Sequence, residues 1–594
     1  MIASSLVRDV AGRTHGWFEK LRNLWVAFLM EPASNGKREA LFVLLVLAIN
    51  LILVGPDLMP MFSDINPYDE AKYIESGRYL IELEVRDLSW GPLVAVVYAP
   101  FHLIFRHMPD WFLIEAWAGR FLLFGSLWLS TFYLATKLKE HTHPYVVIGV
   151  IFVNLPFLFV VVNQSDALFA SLSALALAKL ISFRNNHRVR DVWMGSAFLG
   201  LFVLARVESI VLLPLFLALT LIFGLRHHSL KRLLIASLLP SVVIFGFFVL
   251  VHRISSGTFD LGIGTKSYES FEVNQPVSTG GDFDEAIQET RRLFGTKEEN
   301  RGSVIRAILR NPSAFGLRII ANAKRIPSMY LDFFGKRIGP VLFLFALWGV
   351  YVLIRKRALH VLGIMFLWSL QPVVSLGFLT LHFIPQICYI PLIVGSIGIS
   401  DIFNSNVSNR QRGVQLLVVI TFALYGYVDN KLAFMMGGFI TACVFALAWI
   451  IRLRIRSPIE AETLSLMLLL VAGVILRGSY TFPNYPSLRN YPEQQAIHAM
   501  QAELPSDSWV LVPFPSPAVA AGMRDFLMSR TPIEEMSSDD FHEWLKCEEI
   551  RAIYVDSRYE INPVLSEWIE SGVDNYLKLW PVSDEGMIRL LFVH

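Results

Sequence analysis

Charged side chains are scarce in this sequence. Lys, Arg, Asp and Glu supply 17% of its 594 residues, where a soluble domain carries about 25%, and hydrophobic residues make up 54% with a mean hydropathy of +0.50. A soluble multidomain enzyme is excluded, and a polytopic membrane protein is the class that remains. Cysteine is nearly absent: Cys388 and Cys443 lie in apolar runs and Cys547 in a polar tail, so no disulfide framework is expected. A basic surplus is missing too. The net charge of +2 argues against nucleic acid as a partner, because neutralising phosphates takes many Lys and Arg. No glycine-rich phosphate loop follows a strand, and no internal repeat recurs. A cleavable signal is not expected, since the first long apolar run begins near Leu41, behind mixed and basic residues.

Long apolar runs are what the chain does have. A helix needs about 20 mainly apolar residues to cross a bilayer, and such runs fall near 39–56, 112–136, 145–162, 167–183, 193–209, 210–225, 233–252, 338–354, 358–377, 385–401, 414–429, 431–451 and 460–476. About thirteen transmembrane helices are therefore expected. The short connections alternate in charge. One set carries Lys137 and Lys139, Arg184, Arg188 and Arg190, Arg226, Lys231 and Arg232, and Arg355 to Arg357, whereas the intervening set is nearly free of cations. By the positive-inside rule the N-terminal arm, 1–38, is cytoplasmic and the body, 39–476, is the transmembrane domain. Three larger segments, 57–111, 253–337 and 477–594, then face the other side, which is periplasmic if the membrane is a cell inner membrane.

The last of these has a different texture. It holds 18 acidic and 9 basic side chains, a net of −9, which leaves +11 for the remainder. Val510 to Val512, Ile550 to Val555 and Met587 to Val593 read as strands, and Glu493 to Leu504 and Ser538 to Lys546 as amphipathic helices. A small C-terminal α/β domain outside the membrane is expected.

Three acidic marks fall on that same outer side. Between Asp57 and Gly91 stand eight acidic and three basic residues, with Asp69 and Glu70 opening a short amphipathic stretch, Ala71 to Leu83. Asp166 sits at the mouth of a span, and Arg206 and Glu208 lie between two apolar runs. Each has an ordinary reading: acids in a helix's first turn complement its dipole, Asp is a good N-cap, and Arg206 can pair with Glu208. Their shared side adds weight to an outward-facing active site beside those readings.

The order of these segments resembles the GT-C superfamily of integral-membrane glycosyltransferases, in the branch of the protein O-mannosyltransferases and the aminoarabinose transferases. The resemblance rests on YDEAKY in the first outer segment, WGPLVAVVYAP after it, SDALFASLSALALAKL at a span entrance, ARVESIVLLP, NPSAFGLRIIANAKRIPSMYLDFFGKRIGP and LTLHFIPQICYIPLIVGSIGI, in that order. It implies inverting transfer of a sugar from a polyprenyl-phosphate donor to a hydroxyl of a glycan, glycolipid or protein, with no cofactor. Asp69 takes the place of the family's catalytic carboxylate, with Asp64 as the alternative base, Glu70 as its orienting neighbour and Asp166 as a second acidic residue. A metal site is not expected, because no histidine cluster or ligand spacing accompanies these carboxylates. Where the aminoarabinose branch has a lysine before the proline, this chain has Gly91 before Pro92. The donor phosphate then falls to Arg78, Arg86, Arg253 or Lys266, with Arg253 and Lys266 first, and His382 stands where the family often has arginine. A transporter or lipid flippase is the competing reading, but charges near mid-span are few and no two halves of the chain match.

Overall fold

The computed structural model describes residues 69–85, 91–108, 111–138, 140–142, 147, 164–206, 210, 212–257, 268, 271–272, 283–332, 340–370, 387–403, 491–528, 536–556, 577–581 and 588–593. Asp64, Arg86, Glu208, Lys266 and His382 lie outside them, as do the expected spans 39–56, 414–429, 431–451, 460–476 and most of 145–162.

The helical body begins with α1 (Asp69–Ile81), α2 (Pro92–Phe105), α3 (Trp111–Lys137), α4 (Gln164–Asn186), α5 (Val189–Ala205), α6 (Leu212–Gly224) and α7 (Leu230–Ser256). It continues with α8 (Phe283–Phe294), α9 (Val304–Arg310), α10 (Pro312–Asp332), α11 (Pro340–Arg355), α12 (Leu359–Ser369) and α13 (Tyr389–Phe403). Among the described residues three helices are long and apolar enough to cross a membrane, and they coincide with α3, α4 and α7.

Composition sets how each is placed. In α4 the run from Ser165 to Ala178 is largely Ala and Ser, small side chains that let neighbouring helices approach closely, and 83% of its apolar stretch is buried. In α7 only 22% is buried, and Ile235, Leu239, Val242, Val243, Phe247, Leu250 and Ile254 stand exposed. So α4 is a core helix and α7 presents the apolar face that a bilayer would cover. α2 was not expected as a separate apolar helix within 57–111. Its 14 residues rise only about 21 Å, short of the roughly 30 Å hydrocarbon thickness.

The C-terminal residues form α14 (Tyr491–Glu503), β1 (Trp509–Val512), α15 (Ser516–Ala520), β2 (Arg524–Leu527), α16 (Ser538–Cys547), β3 (Ile550–Asp556), β4 (Leu577–Pro581) and β5 (Ile588–Val593). The five strands lie in the order β2-β1-β3-β5-β4. β2, β1 and β3 run parallel, while β5 is antiparallel to both β3 and β4. Strand alternation sends Val510, Val512, Ala552 and Tyr554 to one face, against Ala496 and Met500 of α14, and Leu511, Ile553 and Val555 to the other, against Phe541 and Leu545 of α16. Both faces are covered, as parallel strands require.

Candidate active site

The helix that opens with Asp69 is held by the body around it. Glu70 is fully buried, and Arg120 of α3 donates to both its oxygens, Nε to Oε1 at 2.7 Å and Nη2 to Oε2 at 2.5 Å. One turn on, the Tyr73 hydroxyl donates to Ser165 Oγ at 2.8 Å. Ser165 adjoins Asp166 in the first turn of α4, where an acidic side chain meets the positive end of the helix dipole. Arg206 Nε lies 3.5 Å from Asp166 Oδ1. Arg206 follows the end of α5 in extended backbone and reaches across to α4; its pairing with Glu208, weighed from the sequence, lies outside the described residues.

Gly91 closes the arrangement. It is the N-cap of α2 at φ 62°, and a Cβ built on it would stand 2.4 Å from the Ala205 carbonyl oxygen, the residue before Arg206. A glycine is needed there on two counts, handedness and space. The family's lysine before this proline has no room in this chain, because the end of α5 fills the place of its side chain.

Four sequence motifs therefore meet at one end of the helices. DEAKY joins SDA through Tyr73 and Ser165, SDA joins ARV through Asp166 and Arg206, and ARV abuts GP through Ala205 and Gly91. Beneath them Tyr98 of α2 is buried between Gly77 of α1 and Gly119 of α3, with added Cβ atoms at 2.7 Å from its Cβ and 2.3 Å from its Cε1. Further along, His102 Nδ1 and Glu115 Oε1 are 2.9 Å apart, both side chains buried.

Of the cations expected to hold an anion, Arg78 is buried and donates to Asp507 Oδ1 at 2.9 Å. Arg253 is exposed in the last turn of α7. Among the described residues no three His, Cys, Asp or Glu side chains converge as a metal would require. Sequence reasoning passed over Arg120, although an ionisable residue inside an apolar run is itself a signal. It also passed over Lys72, which sits within YDEAKY, is buried, and pairs with Glu75 at 3.1 Å and with Asp525 of β2.

No protein-family model matches the sequence, and no curated protein matches it by sequence comparison; the likeness lies in the fold. ArnT from Cupriavidus metallidurans bound to undecaprenyl phosphate superposes with a TM-score of 0.51 at 13% identity, covering 94% of this chain and 98% of that one. The apo state of the same protein gives 0.47 at 12% identity, over 91% and 97%. The archaeal oligosaccharyltransferase AglB from Archaeoglobus fulgidus, in complex with an inhibitory peptide and a dolichol-phosphate, gives 0.44 at 12%, over 93% of this chain and 74% of that one. The chain shares the fold of that ArnT structure, an aminoarabinose transferase of the GT-C glycosyltransferases, the group that the sequence motifs resemble.

Proposed function

We propose that this protein is a membrane glycosyltransferase that moves a sugar from a polyprenyl-phosphate donor to a hydroxyl acceptor on the outer face of the membrane. The observation that carries this reading is the meeting of the four motifs, with the start of α1 tied to the start of α4 by Tyr73 and Ser165. Two acidic marks 97 residues apart in sequence thereby open neighbouring helices. The GT-C fold, and the undecaprenyl phosphate named with its ArnT relative, support the donor class.

In the proposed reaction Asp69, the first residue of α1, is the general base. The acceptor oxygen attacks the anomeric carbon and its proton passes to the Asp69 carboxylate. The bond from that carbon to the phosphate oxygen breaks, its electron pair leaves with the lipid phosphate, and the anomeric configuration inverts. Glu70 is unsuited to be the base, since both its oxygens already accept from a buried guanidinium. Its role is to fix the first turn of α1. Asp166, paired with Arg206, is the second acidic residue and orients donor or acceptor. With Gly91 unable to carry a side chain, the charge on the departing phosphate is met by outer-face cations, for which Arg253 and Lys266 are the nominated pair. The acceptor class is a cell-envelope glycan, a glycolipid or a protein side chain.

The test is transfer of radiolabelled sugar from membrane-extracted polyprenyl-phosphate donors by the purified protein and by Asp69→Asn. Loss of a general base lowers such rates by about 10²–10⁴-fold, and that loss is expected here. Full transfer by the variant would remove Asp69 as the base. If the wild-type protein consumed no lipid-linked donor, the transferase reading itself would fall.

A further inference from the structure

The site helix is gripped on two opposite faces, and the second grip comes from the far end of the chain. Positions three or four apart share a helix face. Glu70, Tyr73 and Gly77 make one face of α1 and meet α3, α4 and Tyr98 of α2. Lys72, Glu75 and Tyr79 make the opposite one. There Lys72 Nζ pairs with Asp525 of β2 and with Glu75 Oε2 at 3.1 Å, while the Tyr79 hydroxyl donates to Glu75 Oε1 at 3.2 Å. The side chain of Lys72 is 11% exposed and those of Glu75 and Asp525 are each 1% exposed, so this is a buried ionic cluster and not a surface pair. Beside it Arg78 donates to Asp507 at 2.9 Å, and the Arg524 guanidinium lies 5.8 Å from the centre of the Tyr79 ring and 5.7 Å from that of Trp509. Val519 and Ala520 of α15 join the same apolar cluster as Ala71 and Ile74 of α1.

A 13-residue helix has little stability of its own in water, so the position of α1 is set by what it docks against. β2 is the edge strand of its sheet, and α1 meets it through side chains, Lys72 on Asp525 and the Tyr79 ring beside Arg524, while packing on α15. Buried charges hold geometry firmly, because either one left alone is an uncompensated ion in an apolar setting.

We propose that the C-terminal sheet is the positioning partner of the site helix, with Lys72 and Asp525 as positioning residues that fix the setting of Asp69 and Glu70. The consequence for transfer rests on the function proposed above; the coupling of sheet to helix does not. A catalytic group displaced by about 1 Å can lose ~10²-fold in rate, and remote clamps of this kind act on turnover more than on substrate affinity.

The experiment compares wild type, Asp525→Asn and Asp525→Glu in the full-length, detergent-solubilised protein. Hydrogen exchange is read over 70–81 and over β1 and β3, and kcat and KM are measured with the lipid-linked donor. For Asp525→Asn, exchange of the α1 amides is expected to quicken by roughly 10-fold or more, while β1 and β3 stay protected. kcat should fall by roughly 10- to 100-fold with KM within about 2-fold, and Asp525→Glu should recover most of it. Unchanged exchange in α1 would overturn the coupling, and quickened exchange with full kcat would overturn the positioning role. If Asp525→Asn does not fold, Lys72→Met combined with Glu75→Gln and Asp525→Leu removes all three charges together and is expected to show the same pattern. Should the wild-type protein transfer no sugar, the proposed function fails, and the exchange readout alone decides the coupling.

Discussion

Arg120 of α3 holds Glu70 of α1 through two parallel hydrogen bonds, at 2.7 and 2.5 Å, with the carboxylate fully buried. Planar, bidentate pairing of this kind fixes direction as well as distance. It occupies both oxygens of Glu70, which is why the proposed reaction gives Glu70 the anchoring of the helix and Asp69 the part of base.

Substitutions at this pair should act on stability before activity. Arg120→Met strands a buried carboxylate and is expected to cost about 3–5 kcal/mol. Arg120→Lys, which keeps the charge but loses the fork, should fall between that and wild type. Glu70→Leu combined with Arg120→Met leaves no unpaired ion and should recover much of the melting temperature. Thermal unfolding in detergent measures all three. A melt for Arg120→Met equal to wild type would show that the pair holds nothing.

Gly91 gives a second prediction, aimed at a point where this chain differs from the aminoarabinose branch it resembles. Gly91→Lys introduces that branch's residue type, but its Cβ would press on the Ala205 carbonyl at 2.4 Å from a backbone at φ 62°. The left-handed backbone alone costs an L-residue about 1–2 kcal/mol, and the overlap adds to it. Both Gly91→Ala and Gly91→Lys should lower the melting temperature, and Gly91→Lys should not tighten binding of undecaprenyl phosphate. Tighter binding with an unchanged melt would mean that the position can hold the phosphate after all.

Much of this was legible in the sequence, for identifiable reasons. The run 112–136 became α3 at Trp111–Lys137, and 167–183 became α4 at Gln164–Asn186, because hydropathy acts locally and the bilayer sets a minimum length. The strands around Val510, Ile550 and Ile588 followed from short β-branched and aliphatic runs. What the sequence withheld was the choice of partner for each charge. Nothing near Lys72 or Arg78 points to Asp525 or Asp507, which lie more than 400 residues away. Asp166 and Arg206 pair across two helices from 40 residues apart. Pairing of this kind is decided by tertiary packing, to which local composition is blind.

Arg318 supports a prediction in which pH separates causes. It lies in α10 with only 7% of its surface exposed; Nη2 donates to the Phe271 carbonyl at 2.9 Å, the guanidinium sits 4.3 Å from the centre of the Phe271 ring, and Nε and Nη1 have no hydrogen-bond partner. Burial pushes its pKa down from the usual guanidinium range to about 10. The unfolded chain thus binds this proton more tightly than the folded one, so the charge opposes folding at every pH below about 10, and the opposition fades as pH rises above that. Replacing it with an apolar side chain of similar length removes that cost and gives up one hydrogen bond from a charged donor, worth about 1.5–3 kcal/mol, and the cation's contact with the Phe271 ring. Arg318→Met is therefore expected to melt higher than wild type at pH 7 to 9, with the gap narrowing as the pH is taken past 10. Taking the difference between the two proteins cancels the Lys and Tyr titrations common to both. A variant that melts lower at pH 7 would show that the guanidinium stabilises the fold and that its burial is compensated.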